Sequence, residues 1–162
     1  SKTEVKIKWY EDGTLNPMTA VTGQIKRKGV GGPGSPDVAW QTGSYIIGED
    51  TSIWYQPEFT YHAYRYMEIE GLSKKPEKNE VYGLFMHTNV RNENNISTSS
   101  ELINSIQKAV ERTFLANLIS IQSDCPAREK FGYGGDLNAT SESFIYNFDM
   151  QSIYRKTIYN KF

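Results

Sequence analysis

The spacing of apolar residues changes once along this chain, near Asn95, and that change limits the possible folds more than any other feature. Before it, the spacing is two. Glu4-Val5-Lys6-Ile7-Lys8-Trp9-Tyr10 alternates polar and apolar side chains, the pattern of a strand with one face covered. Glu11-Asp12-Gly13-Thr14 then reads as a turn, and residues 29–36, with Gly31-Gly32-Pro33-Gly34, as a loop. Further strand-like runs occupy 43–47, 51–55, 61–69 and 80–88, with Lys74-Lys75-Pro76-Glu77-Lys78 as a solvated turn. Short strands separated by turns predict an antiparallel β-sandwich over about residues 3 to 90.

After Asn95 the spacing becomes helical. Leu102, Ile103, Ile106, Ala109, Val110, Phe114 and Leu118 recur every three or four residues, which predicts a helix near 98–120. Ser99 or Ser100 can cap it, and Glu101 suits the positive end of its dipole. A second helix is expected near 139–160, starting between Asn138 and Ser141, with Phe144, Ile145, Phe148, Ile153, Tyr154 and Ile158 on a wide apolar face. Both faces are broader than one neighbour covers, so the helices read as the start of a larger helical domain, with more chain expected to follow. The expected class is α+β, divided into a sandwich domain at 1–94 and a helical domain at 95–162.

Composition removes several classes of function. Net charge is −1 and basic residues are dispersed, which argues against nucleic-acid binding through phosphates. No apolar run approaches the length of a membrane span, and Ser1-Lys2-Thr3-Glu4 lacks the apolar stretch of an export signal. Cys125 is the single cysteine and His62 and His87 the two histidines, without metal-type spacing, so no metal or other cofactor is expected.

The chemistry concentrates in Asp124-Cys125-Pro126-Ala127-Arg128-Glu129-Lys130-Phe131-Gly132-Tyr133-Gly134-Gly135-Asp136. Three carboxylates, a guanidinium and two aromatic rings lie within thirteen residues. Crowded carboxylates repel when ionised, so one can retain the proton that a general acid must donate. The others accept hydrogen bonds from hydroxyls, and Phe131 or Tyr133 can stack on the apolar face of a sugar. The same residues also suit a plain interhelix loop, with Asp136 capping the next helix, Arg128 pairing with Asp124, Glu129 solvated and Cys125 a buried structural thiol.

This segment resembles the catalytic signature of bacterial α-L-rhamnosidases, Asp-Cys-Pro-Gln-Arg-(Asp)-Glu followed a few residues later by Gly-Trp-x-Gly-Asp. Upstream, Phe59-Thr60-Tyr61-His62-Ala63-Tyr64-Arg65-Tyr66-Met67-Glu68-Ile69 is similar to the segment Phe-Thr-Tyr-His-Gly-Phe-Arg-Tyr-Val-Glu-Ile that ends the family's β-sandwich domain. Two motifs in order across some eighty residues are far more specific than either alone. The resemblance covers most of the chain, residues 1–50 contributing only a strand pattern.

The resemblance implies an inverting glycosidase that releases terminal α-L-rhamnose from glycosides or polysaccharides, built on a six-hairpin (α/α)6 barrel of which this chain holds only the first helices. It places Glu129 as the general acid, Asp124 and Asp136 as carboxylates holding rhamnose hydroxyls, and Arg128 as the arginine orienting the cluster. Tyr133 stands where the family usually has Trp, which keeps a ring and bears on substrate preference. Ala127 replaces Gln and Gly134 a larger residue, which opens the pocket. Ala63 replaces Gly upstream, and His62 reads as a packing residue. Inversion also needs a carboxylate base roughly 6.5–9.5 Å from the acid. The family's base lies far downstream, so the chain alone is expected to be inactive, and its uncovered helices to pair two copies as a homodimer. The alternative is a non-catalytic carbohydrate-binding or scaffolding module, for which an exposed ring among Trp9, Trp40 and Trp54 would speak. A six-hairpin glycosidase for another deoxy sugar or a uronide fits the Asp-Cys-Pro-x-Arg element less well.

Overall fold

A computed structural model describes residues 3–10, 41–49, 52–92, 95–127 and 129–161. The turn expected at 11–14, the loop at 29–36, Thr51, Trp40, Arg128 and the side chain of Trp9 lie outside the described residues. The chain forms two compact units, one of Ser1–Leu84 with Ala127–Glu129 and one of Phe85–Pro126 with Lys130–Phe162.

In the first unit, β1 (Thr3–Tyr10), β2 (Thr42–Ile47) and β3 (Tyr66–Glu70) form an antiparallel sheet in the order β2-β1-β3. Residues directly opposite share a face. The register pairs Val5 with Tyr45 and Ile7 with both Gly43 and Ile69, so these residues line one side. Val5 is buried, while Ile7, Tyr45 and Ile69 are half-buried. The opposite side is polar. There Lys8 bonds the carboxylate of Glu70 and lies 3.7 Å from that of Glu68, and Lys6 approaches Glu4 at 3.4 Å. The hydrogen bond to Glu70 raises the Lys8 pKa above its ordinary value, with burial opposing it. Alternation in β1 thus has the physical meaning read from the sequence.

Other expected strands are absent. Residues 52–55 are not a strand, although Tyr55 rests its ring on Tyr45 at 5.3 Å between centroids. Of 61–69, only the part from Tyr66 is paired. The Ala63 carbonyl instead accepts from the Gln41 side-chain amide at 3.0 Å, which removes it from any ladder. Residues 80–88 begin in a single 3-10 turn, Lys78–Glu80, tied by the Glu80 carboxylate accepting from the Glu77 N–H at 2.8 Å. Beyond that turn they form no strand, and a single backbone bond, from the Thr88 N–H to Leu118 O at 2.7 Å, ties their end to another extended segment. An apolar pattern reports extended backbone, not the presence of a partner. In the first unit the paired strands among the described residues are therefore the three of one small antiparallel sheet.

The second unit opens with α1 (Glu101–Ala116). The Ser100 hydroxyl accepts from the Ile103 N–H at 3.4 Å, and Glu101 occupies the first turn, as expected. The helix stops four residues before position 120. Asn117 closes it, its backbone N–H bonding Thr113 and Phe114 carbonyls and its side-chain amide donating to Thr113 O at 2.9 Å. A tight hairpin follows, β4 (Leu118–Ile119) and β5 (Ile121–Gln122), turning at Ser120 with φ 66°.

The second expected helix is two helices, α2 (Gly134–Asn147) and α3 (Gln151–Lys161). α2 begins earlier than 138 because Gly134 and Gly135 fill its first positions, where amides have no intrahelical acceptor and the helical penalty of glycine is least felt, while Asp136 complements the dipole. The break at 148–150 has a clear cause. Phe148 turns to φ −138°, ψ 151° and bridges to Asn92, and the Asp149 N–H donates to Arg91 O at 3.0 Å. The Asp149 carboxylate accepts from Gln151 N–H at 3.3 Å and from Arg91 at 2.8 Å, and the Arg91 bond holds it below the usual carboxylate range. No helix among the described residues is long and apolar enough to cross a membrane.

The core of this unit is Leu118, Phe144, Phe148, Met150 and Ile153, with Val90, Phe114, Leu115 and Tyr154 against it. The Phe114 and Phe144 rings stack at 4.0 Å between centroids, 17° apart. Leu102, Ile103, Ile106, Ile145 and Ile158 are all exposed, so the apolar faces read from the sequence are only partly covered. Buried Gln122 donates to Thr140 Oγ1 at 2.6 Å, and the Tyr154 hydroxyl lies 3.3 Å from both Gln122 Oε1 and Ser141 O.

Two outcomes test these packings. Gly71 has φ +90°, and a Cβ there would lie 2.3 Å from the Glu4 carbonyl oxygen, so Gly71→Ala should cost on the order of 2 kcal/mol in a urea melt. Burial raises the Tyr154 phenol to about 12. The stability this gives is complete below the ordinary tyrosine value of about 10 and is lost as pH rises through the folded value. Thermal melts of the wild type should therefore drop between pH ~10 and ~12 by a component missing in Tyr154→Phe.

Candidate active site

The segment rich in functional groups follows β5 and runs into α2. Its two ends are joined to each other. The Asp124 N–H donates to Phe131 O at 3.0 Å, the Phe131 N–H donates to Asp124 Oδ1 at 3.1 Å, and the Lys130 N–H donates to Cys125 O at 3.1 Å. The carboxylate stands in for the backbone acceptor that a strand pair would use at that rung. Lys130 takes a left-handed conformation, φ 53°, which costs a residue with a Cβ about 1–2 kcal/mol. The bonds on either side hold it there. Burial pushes the Lys130 ammonium below its ordinary pKa, and the Cys125 sulfur partly offsets this. Nothing in the residue pattern marks Lys130 for partial burial, since its spacing fits a surface cation.

Each expected site residue has a defined environment except Arg128, which lies outside the described residues. Asp124 and Glu129 are half-buried. Ala127 is buried, and Ala127–Glu129 fall with the first unit, whereas Asp124, Tyr133 and Asp136 fall with the second. The pairing of Arg128 with Asp124 and the capping role of Asp136 were the plain structural readings of these residues. The Asp124 carboxylate serves the Phe131 amide, and Asp136 lies in the first turn of α2, Tyr133 being the N-cap. Cys125 is half-buried and forms no disulfide.

Phe131 and Tyr133 bring their rings to 4.8 Å between centroids at 51°. Phe131 is half exposed, so part of this aromatic surface faces solvent. Gly132 between them is tightly placed, because a Cβ would come within 3.2 Å of Ile121 Cδ1 and 3.5 Å of Gln122 O. The tight β4–β5 hairpin therefore bears directly on the aromatic pair. Among the described residues no three His, Cys, Asp or Glu side chains are grouped as a metal site. In the first unit, His62 is half-buried, and Trp54 is 81% exposed with its ring edge-on to exposed Tyr82 at 5.5 Å.

Comparison with known proteins places both units. Residues 91–161 match the family described as bacterial alpha-L-rhamnosidase 6 hairpin glycosidase domain, and residues 14–87 match the bacterial alpha-L-rhamnosidase concanavalin-like domain. An alpha-L-rhamnosidase of Formosa agariphila is 34% identical over 112 residues, 69% of this chain and 12% of that protein. One from Streptomyces avermitilis is 32% identical over 63% of this chain and 10% of its own length. Among solved structures, the alpha-L-rhamnosidase of Dictyoglumus thermophilum superposes with a TM-score of 0.79 at 36% identity, covering 96% of this chain and 16% of that one. The Streptomyces avermitilis enzyme complexed with L-rhamnose gives 0.77 at 26% identity, over 96% and 14%. The two family models thus match the chain one after the other, and the loop between α1 and α2 lies within the stretch matched by the 6 hairpin model. The chain belongs to the bacterial alpha-L-rhamnosidase family, as its two motifs suggested, and spans 10 to 13% of the length of the curated relatives it matches.

Proposed function

We propose that this chain is the acid-bearing segment of an inverting glycoside hydrolase that releases terminal α-L-rhamnose from glycosides or polysaccharides. In this reading residues 1–94 belong to a β-sandwich domain and 95–162 open an (α/α)6 six-hairpin catalytic domain. Glu129 protonates the leaving oxygen, and a carboxylate base outside the chain activates the attacking water from the opposite face of the ring. Asp124 and Asp136 accept hydrogen bonds from rhamnose hydroxyls, Arg128 orients the carboxylates, and Tyr133 stacks on the sugar. No cofactor takes part. The observation that carries the reading is the closed loop at 124–131, set within the residues that match the catalytic-domain family. A loop pinned at both ends suits a proton donor, which must be held at the leaving oxygen. In the isolated chain, exposed Leu102, Ile106 and Ile158 offer an apolar surface for pairing with a second copy.

A second reading rests on Trp54 and Tyr82. Two exposed rings, edge to face, suit a pyranose ring, so the first unit acts as a non-catalytic carbohydrate-binding module.

The two readings separate experimentally. The 162-residue chain should leave an aryl α-L-rhamnoside intact. In the full-length protein, Glu129→Gln should lower kcat at least ~100-fold on a substrate with a poor leaving group and much less on an activated aryl rhamnoside. Equal losses on both would remove Glu129 as the acid. For the module reading, rhamno-oligosaccharides should change the tryptophan fluorescence of the 162-residue chain, and Trp54→Ala should abolish the change. An unaltered spectrum on saturation with sugar rejects it.

A further inference from the structure

We propose that Asp124 is a positioning residue for the catalytic acid, a role distinct from contacting the sugar and one that rests on reading Glu129 as that acid. The basis is the division of labour within its carboxylate. Asp124 Oδ1 accepts the Phe131 N–H at 3.1 Å, while the Asp124 N–H donates to Phe131 O at 3.0 Å. One residue therefore makes both bonds of the outer rung, side chain on one and backbone on the other. The inner rung is the Lys130 N–H on Cys125 O at 3.1 Å. Only residues 126–129 lie inside these rungs, and Glu129 is the last of them.

Glu129 joins directly to Lys130, whose left-handed backbone sets the direction of the peptide between them. That conformation is disfavoured for lysine and persists because the surrounding bonds determine it. Release of the Phe131 amide leaves the Asp124 N–H to Phe131 O bond alone to hold the far side of Lys130, which loosens the backbone next to Glu129. Aspartate suits the task by length, since its oxygen reaches the amide where a glutamate oxygen would be displaced by a methylene. Charge is secondary, because an asparagine carbonyl oxygen can accept the same bond. Oδ2 remains for a sugar hydroxyl, and it has no hydrogen bond among the described residues.

Two measurements, one independent of turnover, test the assignment. In the 162-residue chain, amide hydrogen exchange at Phe131 should be slow in wild type and Asp124→Asn and at least ~10-fold faster in Asp124→Ala and Asp124→Glu. In the full-length enzyme, Asp124→Ala should lose ~10- to 100-fold in kcat on a poor leaving group and several-fold less on an activated aryl rhamnoside, with Asp124→Asn restoring most of the loss. Unchanged Phe131 exchange in both Asp124→Ala and Asp124→Glu overturns the proposal. So does a loss in Asp124→Asn equal to that in Asp124→Ala, falling on KM alike for both substrates, which describes a sugar ligand only. If Asp124→Ala does not fold, Asp124→Glu decides, and wild-type exchange and kinetics in it overturn the proposal. Leaving-group dependence in Glu129→Gln without any in Asp124→Ala overturns the positioning role alone, whereas its absence in Glu129→Gln removes the acid assignment beneath it.

Discussion

The stack of Phe114 on Phe144 is the interaction on which the second unit depends. It fixes the last turns of α1 against the last turns of α2, and everything chemically interesting is strung between those helices. Phe148 extends the aromatic cluster from Phe144 at 6.5 Å, and Leu118, fully buried, joins it from the start of the hairpin. Removal of one ring would leave a void and also free both ends of the loop that they frame. Around this apolar centre the polar links are sparse and specific. Gln107 bonds both Glu111 and buried Asn147, and Lys156 reaches back to Ser120 at the hairpin turn. The Gln107–Asn147 bond joins α1 to α2 and the Lys156–Ser120 bonds join α3 to the hairpin, so these elements are tied into one frame.

Legibility in the sequence followed the range of the forces involved. The inward positions of β1, a serine cap at 99 or 100 and the core residues Leu118, Phe144, Phe148 and Ile153 depend on neighbours one to four places away and could be read, whereas Met150 of the same core could not. The strands expected at 51–55 and 80–88 are not found in the described residues there, because pairing depends on a distant partner that periodicity does not name. The division between α2 and α3 is an intermediate case. Asp149 just before Gln151 is a recognisable N-cap signal, but a strong apolar spacing across Phe148 outweighed it. What tipped the balance was the extended segment at Arg91 and Asn92, which offered the backbone at Phe148 and Asp149 other partners.

The candidate site divides in the same way. Its residue types and order were plain in the sequence, since chemistry of this kind needs carboxylates, rings and a guanidinium close together. Its internal wiring was not, because the bond from Phe131 to Asp124 exists only once Lys130 turns left-handed, a conformation that side-chain type disfavours. The aspartate that looked like a sugar contact or a partner for arginine is spent on backbone with one of its oxygens.

Gly132 carries a consequence for anyone wishing to redirect such a site. It sits between the two rings, and an added Cβ would lie 3.2 Å from the Cδ1 end of the Ile121 side chain and in ordinary contact, at 3.5 Å, with the Gln122 carbonyl, so a side chain there requires Ile121 to give way slightly. Diversity in the aromatic surface is therefore sampled most directly at positions 131 and 133, which carry the two rings. A mutagenic library that randomised all three would couple every choice at 132 to a shift of Ile121. One that held the glycine fixed would explore ring size, polarity and tilt on an undisturbed hinge.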